Sequence, residues 1–121
     1  MITSITATIT TNASGAATVY LGHRIYGTIE AIKYVPGTLD TGAGLTFTGE
    51  DTEVPVLVKA GAGTSTVWFY PRVLANKNTD GAAATDALVA IRLFKERLKL
   101  VVASGGNAVT GTVTVFVNED K

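Results

Sequence analysis

The feature that most constrains this chain is the alternation near its C-terminal end. Leu98, Leu100 and Val102 recur at every second position, with Arg97 and Lys99 on the other face; Val109, Val113, Val115 and Val117 share a face in the same way, opposite Thr110, Thr112 and Thr114. Side chains of a strand point to opposite faces in turn, so each segment has one apolar and one polar face. Such a pattern suits neither a helix nor a fully buried strand. Between them, Ser104-Gly105-Gly106-Asn107 tolerates the positive φ that a reversing chain needs. The segments therefore predict two strands joined as a hairpin by more than a two-residue turn, forming the best-buried part of a β-sandwich.

The rest of the chain repeats the theme. Ile2 to Thr11 reads as a first strand, with Ile5, Ala7 and Ile9 opposite Thr6, Thr8 and Thr10. After a turn at Asn12–Gly15, Ala17–Leu21 is a second strand that can pair with the first, and Gly22-His23 is a break. Arg24 to Pro36 is the longest candidate. Its apolar residues change phase, from Ile25 and Ile29 to Ile32 and Tyr34, which a β-bulge near Glu30-Ala31 would reconcile. Leu45–Gly49 and Val54–Lys59 are short strands around the acidic turn Glu50–Glu53, and Pro55 suits an edge strand. Ser65–Arg72 carries Trp68, Phe69 and Tyr70, of which at least two are expected in the core because aromatic residues contribute so much buried area.

From Leu74 to Thr85 the sequence is small and polar without period and reads as a long surface loop, around residues 75–86. Val89, Ile91 and Leu93 then alternate in a strand that turns at Lys95-Glu96. The expectation is an all-β fold: one antiparallel β-sandwich or barrel-like domain over residues 1–121.

Composition narrows the function. The 121 residues include ten basic and ten acidic side chains. That balance offers no surplus of Lys and Arg for nucleic acid or for an anionic membrane. With no cysteine, disulfides and thiolate zinc sites are excluded. No apolar run is long enough for a spanning helix, and the start lacks the basic and apolar regions of a secretory signal.

Sites for chemistry are few. His23 is the single histidine and has no sequence-level partner, so it reads as a surface residue. Glu50-Asp51-Thr52-Glu53 offers oxygens for Ca²⁺, but without a calcium-loop pattern it reads as a solvated turn. Asp40-Thr41-Gly42 matches the aspartic-protease triplet, yet Ala43 follows where those enzymes have a hydroxylated residue. No cofactor, metal or catalytic set emerges, and the chain is expected not to be an enzyme.

Two segments carry a resemblance. Tyr34-Val35-Pro36-Gly37-Thr38-Leu39-Asp40-Thr41-Gly42 runs into Leu45–Thr48, and Glu96–Ala108 runs into Gly111-Thr112-Val113. Together they resemble a group of small all-β virion proteins of tailed bacteriophages found among head-assembly components; Tyr70-Pro71-Arg72 and its following loop are also similar. The resemblance implies a decoration or cement protein on the capsid surface of the virion, made in the host cytoplasm. Its implied partners are the major capsid protein and sister copies in a homo-oligomer, and no catalytic residues come with it. On this view the contacts are expected from the N-terminal strand (Ile2, Ile5), the aromatic cluster (Trp68, Tyr70) and the long loop (Asn76, Gly81, Ala82, Ala83). Small residues let a backbone approach closely, and an open strand edge awaits a partner. The alternative is a virion-displayed module that binds a host glycan or another virion protein, with Trp68 or Tyr70 as a stacking platform.

Overall fold

Beta-branched and aromatic residues at alternating positions dominate the sequence, and strands are what they form. The computed structural model describes residues 1–120. These residues form nine strands and no helix: β1 (Ile2–Thr10), β2 (Ala17–Val35), β3 (Gly44–Gly49), β4 (Pro55–Lys59), β5 (Val67–Phe69), β6 (Arg72–Asn76), β7 (Ala83–Ala90), β8 (Arg92–Ala103) and β9 (Thr110–Glu119). The strands pair in the order β1-β9-β2-β8-β3-β4, with β5 added on β2, while β6 and β7 pair only with each other. All pairings are antiparallel.

The 19-residue β2 is the spine. Its first part, Ala17–Thr28, pairs with β8; its last part, Gly27–Val35, pairs with β9. One strand thus belongs to both layers of the sandwich. Where the two partners overlap stands Gly27, at which any side chain would collide with the Asn118 carbonyl of β9.

Two irregularities make the long strand possible. At Gly22 (φ 60°) the register against β8 shifts between Leu21 and Ile25, so the expected break at Gly22-His23 is a bend within one strand. Against β9 the register shifts between Ile29 and Ala31. This is the bulge that the phase change called for, and it returns Ile32 and Tyr34 to the same interior as Ile25 and Ile29.

The interior residues are those of the alternation. Leu98, Leu100, Val113, Val115 and Val117 are fully buried, as is Val102 within 1%. Their pairing differs from the expectation. β8 and β9 are not a hairpin, because β2 lies between them. Their linker is an arch from one layer to the other, in which Ser104, Gly106 and Ala108 all take positive φ. It is tied to the 11–16 and 36–43 loops: Gly105 N–H donates to Gly15 O, Asp40 N–H donates to Gly105 O, and the buried Thr11 hydroxyl donates to Gly106 O at 2.7 Å. Likewise β1 pairs with β9 rather than with β2, and Lys95 (φ 55°) is an irregularity inside β8 rather than a hairpin turn.

The largest departure lies between residues 72 and 90. The expected long loop is a β-hairpin whose turn spans only residues 77–82. Periodicity was hidden because β7 bulges: a five-residue step along β7, from Ala83 to Leu88, stands against the two-residue step from Asn76 back to Leu74.

Candidate interaction surface

The β6–β7 hairpin is an arm beside the sandwich. Its register sets Val73 opposite Val89 and Leu74 opposite Leu88. Successive residues of a strand face opposite ways, so the valine pair lies on one face and the leucine pair on the other. All four are between 41% and 64% exposed. Neither face of the arm is therefore covered.

Its root is held by Arg72. The guanidinium Nη1 donates to Pro71 O at 2.7 Å and, at longer range, to Ile29 O and Glu30 O at 3.4 and 3.3 Å. Those last two carbonyls belong to the β2 bulge, where regular pairing is interrupted. At the far end, Asn76 Nδ2 donates to Gly81 O at 2.8 Å, Ala82 N–H donates to the Asp80 carboxylate, and Gly81 takes φ 76°. Asn76, Gly81, Ala82 and Ala83, expected in a contact loop, thus form the tip of the arm, and all are exposed.

Aromatic groups gather just before the root. Phe69 packs against the core, while Trp68 and Tyr70 are exposed; the expectation of two buried aromatics in this cluster is corrected, because β5 turns only Val67 and Phe69 inward. Trp68 stacks on Phe116 with ring centroids 5.4 Å apart, and the Lys33 ammonium lies 5.7 Å from its ring. Ile2 is 60% exposed on β1, whereas Ile5 is an interior residue at 8% and is removed from the candidate contacts.

A second cluster joins the acidic turn to β8. Glu96 is fully buried. Its carboxylate accepts from Asp51 N–H and Thr52 N–H, both at 2.9 Å, from the Thr52 hydroxyl at 2.8 Å and, at 3.4 Å, from Phe94 N–H. Burial alone pushes this carboxyl up, but the hydrogen bonds from Thr52, Asp51 and Phe94 outweigh it and hold it below the usual carboxylate range. Gly49 is required here, since a Cβ would overlap the Glu96 carboxylate. Around it, Arg97 grips Glu50 through two bonds of 2.7 and 2.8 Å, and Arg24 Nη1 meets Asp51 at 2.7 Å. The turn is exposed, as expected, at Asp51, Thr52 and Glu53, and it is also tied into the fold: Glu50 and Asp51 are ion-paired and Thr52 is bonded to Glu96.

The remaining polar candidates stand apart. His23 Nε2 lies 2.8 Å from Glu119 Oε1, a partner the sequence did not reveal. Asp40 is on the exposed 36–43 loop beside Gly106. Among the described residues, no three metal-ligating side chains cluster, no ligand-sized cavity opens, and no helix is long and apolar enough to cross a membrane.

Sequence reasoning missed Val73, Leu74, Leu88 and Val89 as surface residues and Glu96 as a buried one. A signal for the first four was present: two short apolar runs flank a polar stretch containing Asp80-Gly81, a strong hairpin dipeptide.

Comparisons with known proteins add little to this geometry. No protein-family model and no curated protein matches the chain. Among solved structures it is similar to a chain in the virus-like particle of the extra small virus of the giant freshwater prawn Macrobrachium rosenbergii, at 10% identity and a TM-score of 0.30, covering 99% of this chain and 81% of that one. A likeness of that size fixes neither topology nor role.

Proposed function

We propose that this chain is a structural protein of a virion, a decoration or cement protein that binds the assembled head and joins neighbouring subunits. The observation that supports it is the concentration of exposed apolar side chains on the arm and at its root: Tyr70, Val73, Leu74, Leu88 and Val89. Soluble proteins rarely leave such groups together unless another macromolecule covers them. The sequence resemblance to phage head proteins supplies the kind of partner, the major capsid protein and sister copies.

The mechanism is mechanical rather than chemical, and no catalytic step is assigned. A ligand that binds only the assembled state stabilises that state. Many copies, each bridging a joint, thereby oppose the loss of any one subunit. The Glu96 cluster and the arch with its neighbouring loops keep each copy rigid, so little ordering entropy is lost on docking.

Capsids lacking this protein, mixed with it after purification, test the reading. Wild-type protein is expected to coat them, and a Leu74→Ser/Leu88→Ser variant with an unchanged circular-dichroism spectrum is expected to leave them bare. Full coating by that variant would overturn it. A glycan-binding module is the second reading, favoured by Trp68 lying on Phe116 with Tyr70 close by in sequence; retained capsid binding by Trp68→Ala together with lost binding to host glycans would select it.

A further inference from the structure

The neutral total of ten basic and ten acidic side chains hides an uneven surface. Where β2 pairs with β8, over Ala17–Thr28 and Arg92–Ala103, the only acid is Glu96, and it is buried in the core. Leu21, Ile25, Leu93, Leu98 and Leu100 fill the inner face of this strand pair, so alternation turns Tyr20, Tyr26, Phe94, Arg97 and Lys99 outward. The register sets Tyr20 opposite Lys99 and Tyr26 opposite Phe94. The three aromatic residues are between 43% and 55% exposed. The outer face of the other layer differs, presenting threonines such as Thr6, Thr8, Thr112 and Thr114.

Rings and cations are interleaved on the β2–β8 face. The Arg97 guanidinium lies 4.6 Å from the centre of the Tyr20 ring, and the Arg92 guanidinium 5.5 Å from that of Tyr26. The Phe94 ring makes no aromatic or cationic contact among the described residues. Three carboxylates from outside the strand pair meet its arginines: Glu50 and Asp51, from the turn after β3, hold Arg97 and Arg24, and Asp120, beyond β9, holds Arg92. Lys95 and Lys99 have no ion-pair partner among the described residues. Arg24, Arg92, Lys95, Arg97 and Lys99 thus outnumber the three acids by two.

We propose that this face binds single-stranded nucleic acid. Such a strand presents flat bases, which stack on exposed aromatic side chains, and an anionic backbone, which follows lysine and arginine. Both features are needed here. An acidic protein surface would match the lysines and leave the aromatic rings unused; an apolar partner would bury Lys95 and Lys99 without a counter-charge. From Phe94 to Lys99 the face runs roughly 15 Å, at about 3.3 Å per strand residue, several times the roughly 3.4 Å between nucleotides of a stacked strand. A duplex keeps its bases stacked on one another, and a surplus of two charges is too small to hold one by its phosphates alone. The arginines beside Tyr20 and Tyr26 fix two of the rings in place, so the platform is formed before the ligand arrives. This binding requires only the isolated chain and stands apart from the capsid reading.

Fluorescence anisotropy of a labelled oligothymidylate of about 12 nucleotides, within the site sizes of single-strand binding folds, tests this on the purified protein at low salt. Saturable binding is expected, with a duplex of the same length and inorganic polyphosphate each competing roughly ten-fold less well, since neither offers free bases. Phe94→Ala and Tyr26→Ala should each weaken binding roughly five-fold or more, the loss of one stacked base, and Phe94→Ala should do so with its thermal unfolding unchanged. Lys99→Ala should lower the slope of log affinity against log salt by about 0.7, one phosphate contact on a single strand. Lys59→Ala, exposed on the edge strand β4, should alter neither affinity nor slope. No saturable binding to oligothymidylate, wild-type affinity in both Phe94→Ala and Tyr26→Ala, or equal competition by duplex or polyphosphate would overturn the proposal.

Discussion

The sandwich and the arm are made from the same kinds of residue and use them in opposite ways. In β8 and β9 the residues of one face are buried, with Leu98 and Leu100 inside and Arg97 and Lys99 outside, and the apolar residues on the other face are few: Phe94, Val101 and Phe116. In the arm, Val73 and Leu74 are adjacent, as are Leu88 and Val89, so apolar groups stand on both faces. Alternation suits a strand with one wet side. Its absence in the hairpin leaves apolar side chains exposed on both faces.

That contrast can be attacked directly. Leu100→Ala should cost about 2–5 kcal/mol, since Leu100 is fully buried and the interior closes poorly around a lost side chain. Measured by denaturant melts at low concentration, Leu88→Ala should stay within about 0.5 kcal/mol of the parent. Similar costs for the two would place the arm in the core and erase the comparison.

Glu96→Gln is the next largest, at about 1–3 kcal/mol, because a charged acceptor of several hydrogen bonds becomes a neutral amide with donors of its own. Its pH dependence has a definite sign. The carboxyl sits below its ordinary 4.5 in the folded state, so its contribution is complete above that value and fades as pH falls through the folded-state value. Glu50, held low by the Arg97 hydrogen bonds despite some desolvation, acts in the same direction. Thermal melts should therefore show stability falling as pH drops below about 4.5, and the fall should be shallower in Glu96→Gln.

A smaller effect of opposite sign is expected at Tyr34. Its ring is fully buried and its hydroxyl has no hydrogen-bond partner among the described residues. Tyr34→Phe should leave stability unchanged or raise it by up to about 1 kcal/mol. A loss above 1 kcal/mol in chemical denaturation would show that the hydroxyl is satisfied after all.

The sequence revealed faces more reliably than partners. Alternation identifies which side of a strand is buried, hence the correct assignment of Leu98, Leu100, Val102, Val113, Val115 and Val117 to the core, with Val109 only half-buried before β9 begins. It carries no record of which strand lies alongside, so proximity in sequence suggested a β8–β9 hairpin where β2 intervenes. The Glu30-Ala31 bulge was legible because it leaves a phase error in the pattern. The bend at Gly22 leaves none, since Leu21 and Ile25 remain in phase, and it looked like a strand end. The arm was hidden by its own irregularity, as β7 carries three more residues than β6 between the paired positions. Of the candidate contacts, the arm tip is exposed, Trp68 and Tyr70 are exposed although at least two of the three aromatics were expected in the core, and Ile5 is buried. Glu96 was illegible for another reason: its burial depends on backbone donors at Asp51 and Thr52, far away along the chain.

The sharing of β2 between the layers has a consequence for how copies can exchange parts. In a sandwich of two separately stranded sheets, a hinge loop can open and one sheet can be traded for that of a neighbour, the route to domain swapping. Here the layers are joined by the continuous strand β2 as well as by the arch between β8 and β9. Ala17–Thr28 is bound into one and Gly27–Val35 into the other, with Gly27 and Thr28 bonded on both sides. To trade a layer, the chain would have to unzip its longest strand midway and expose Ile25 and Ile29 together. That cost keeps β2 in both layers, while the arm is joined to the sandwich only through Pro71 and Ile91.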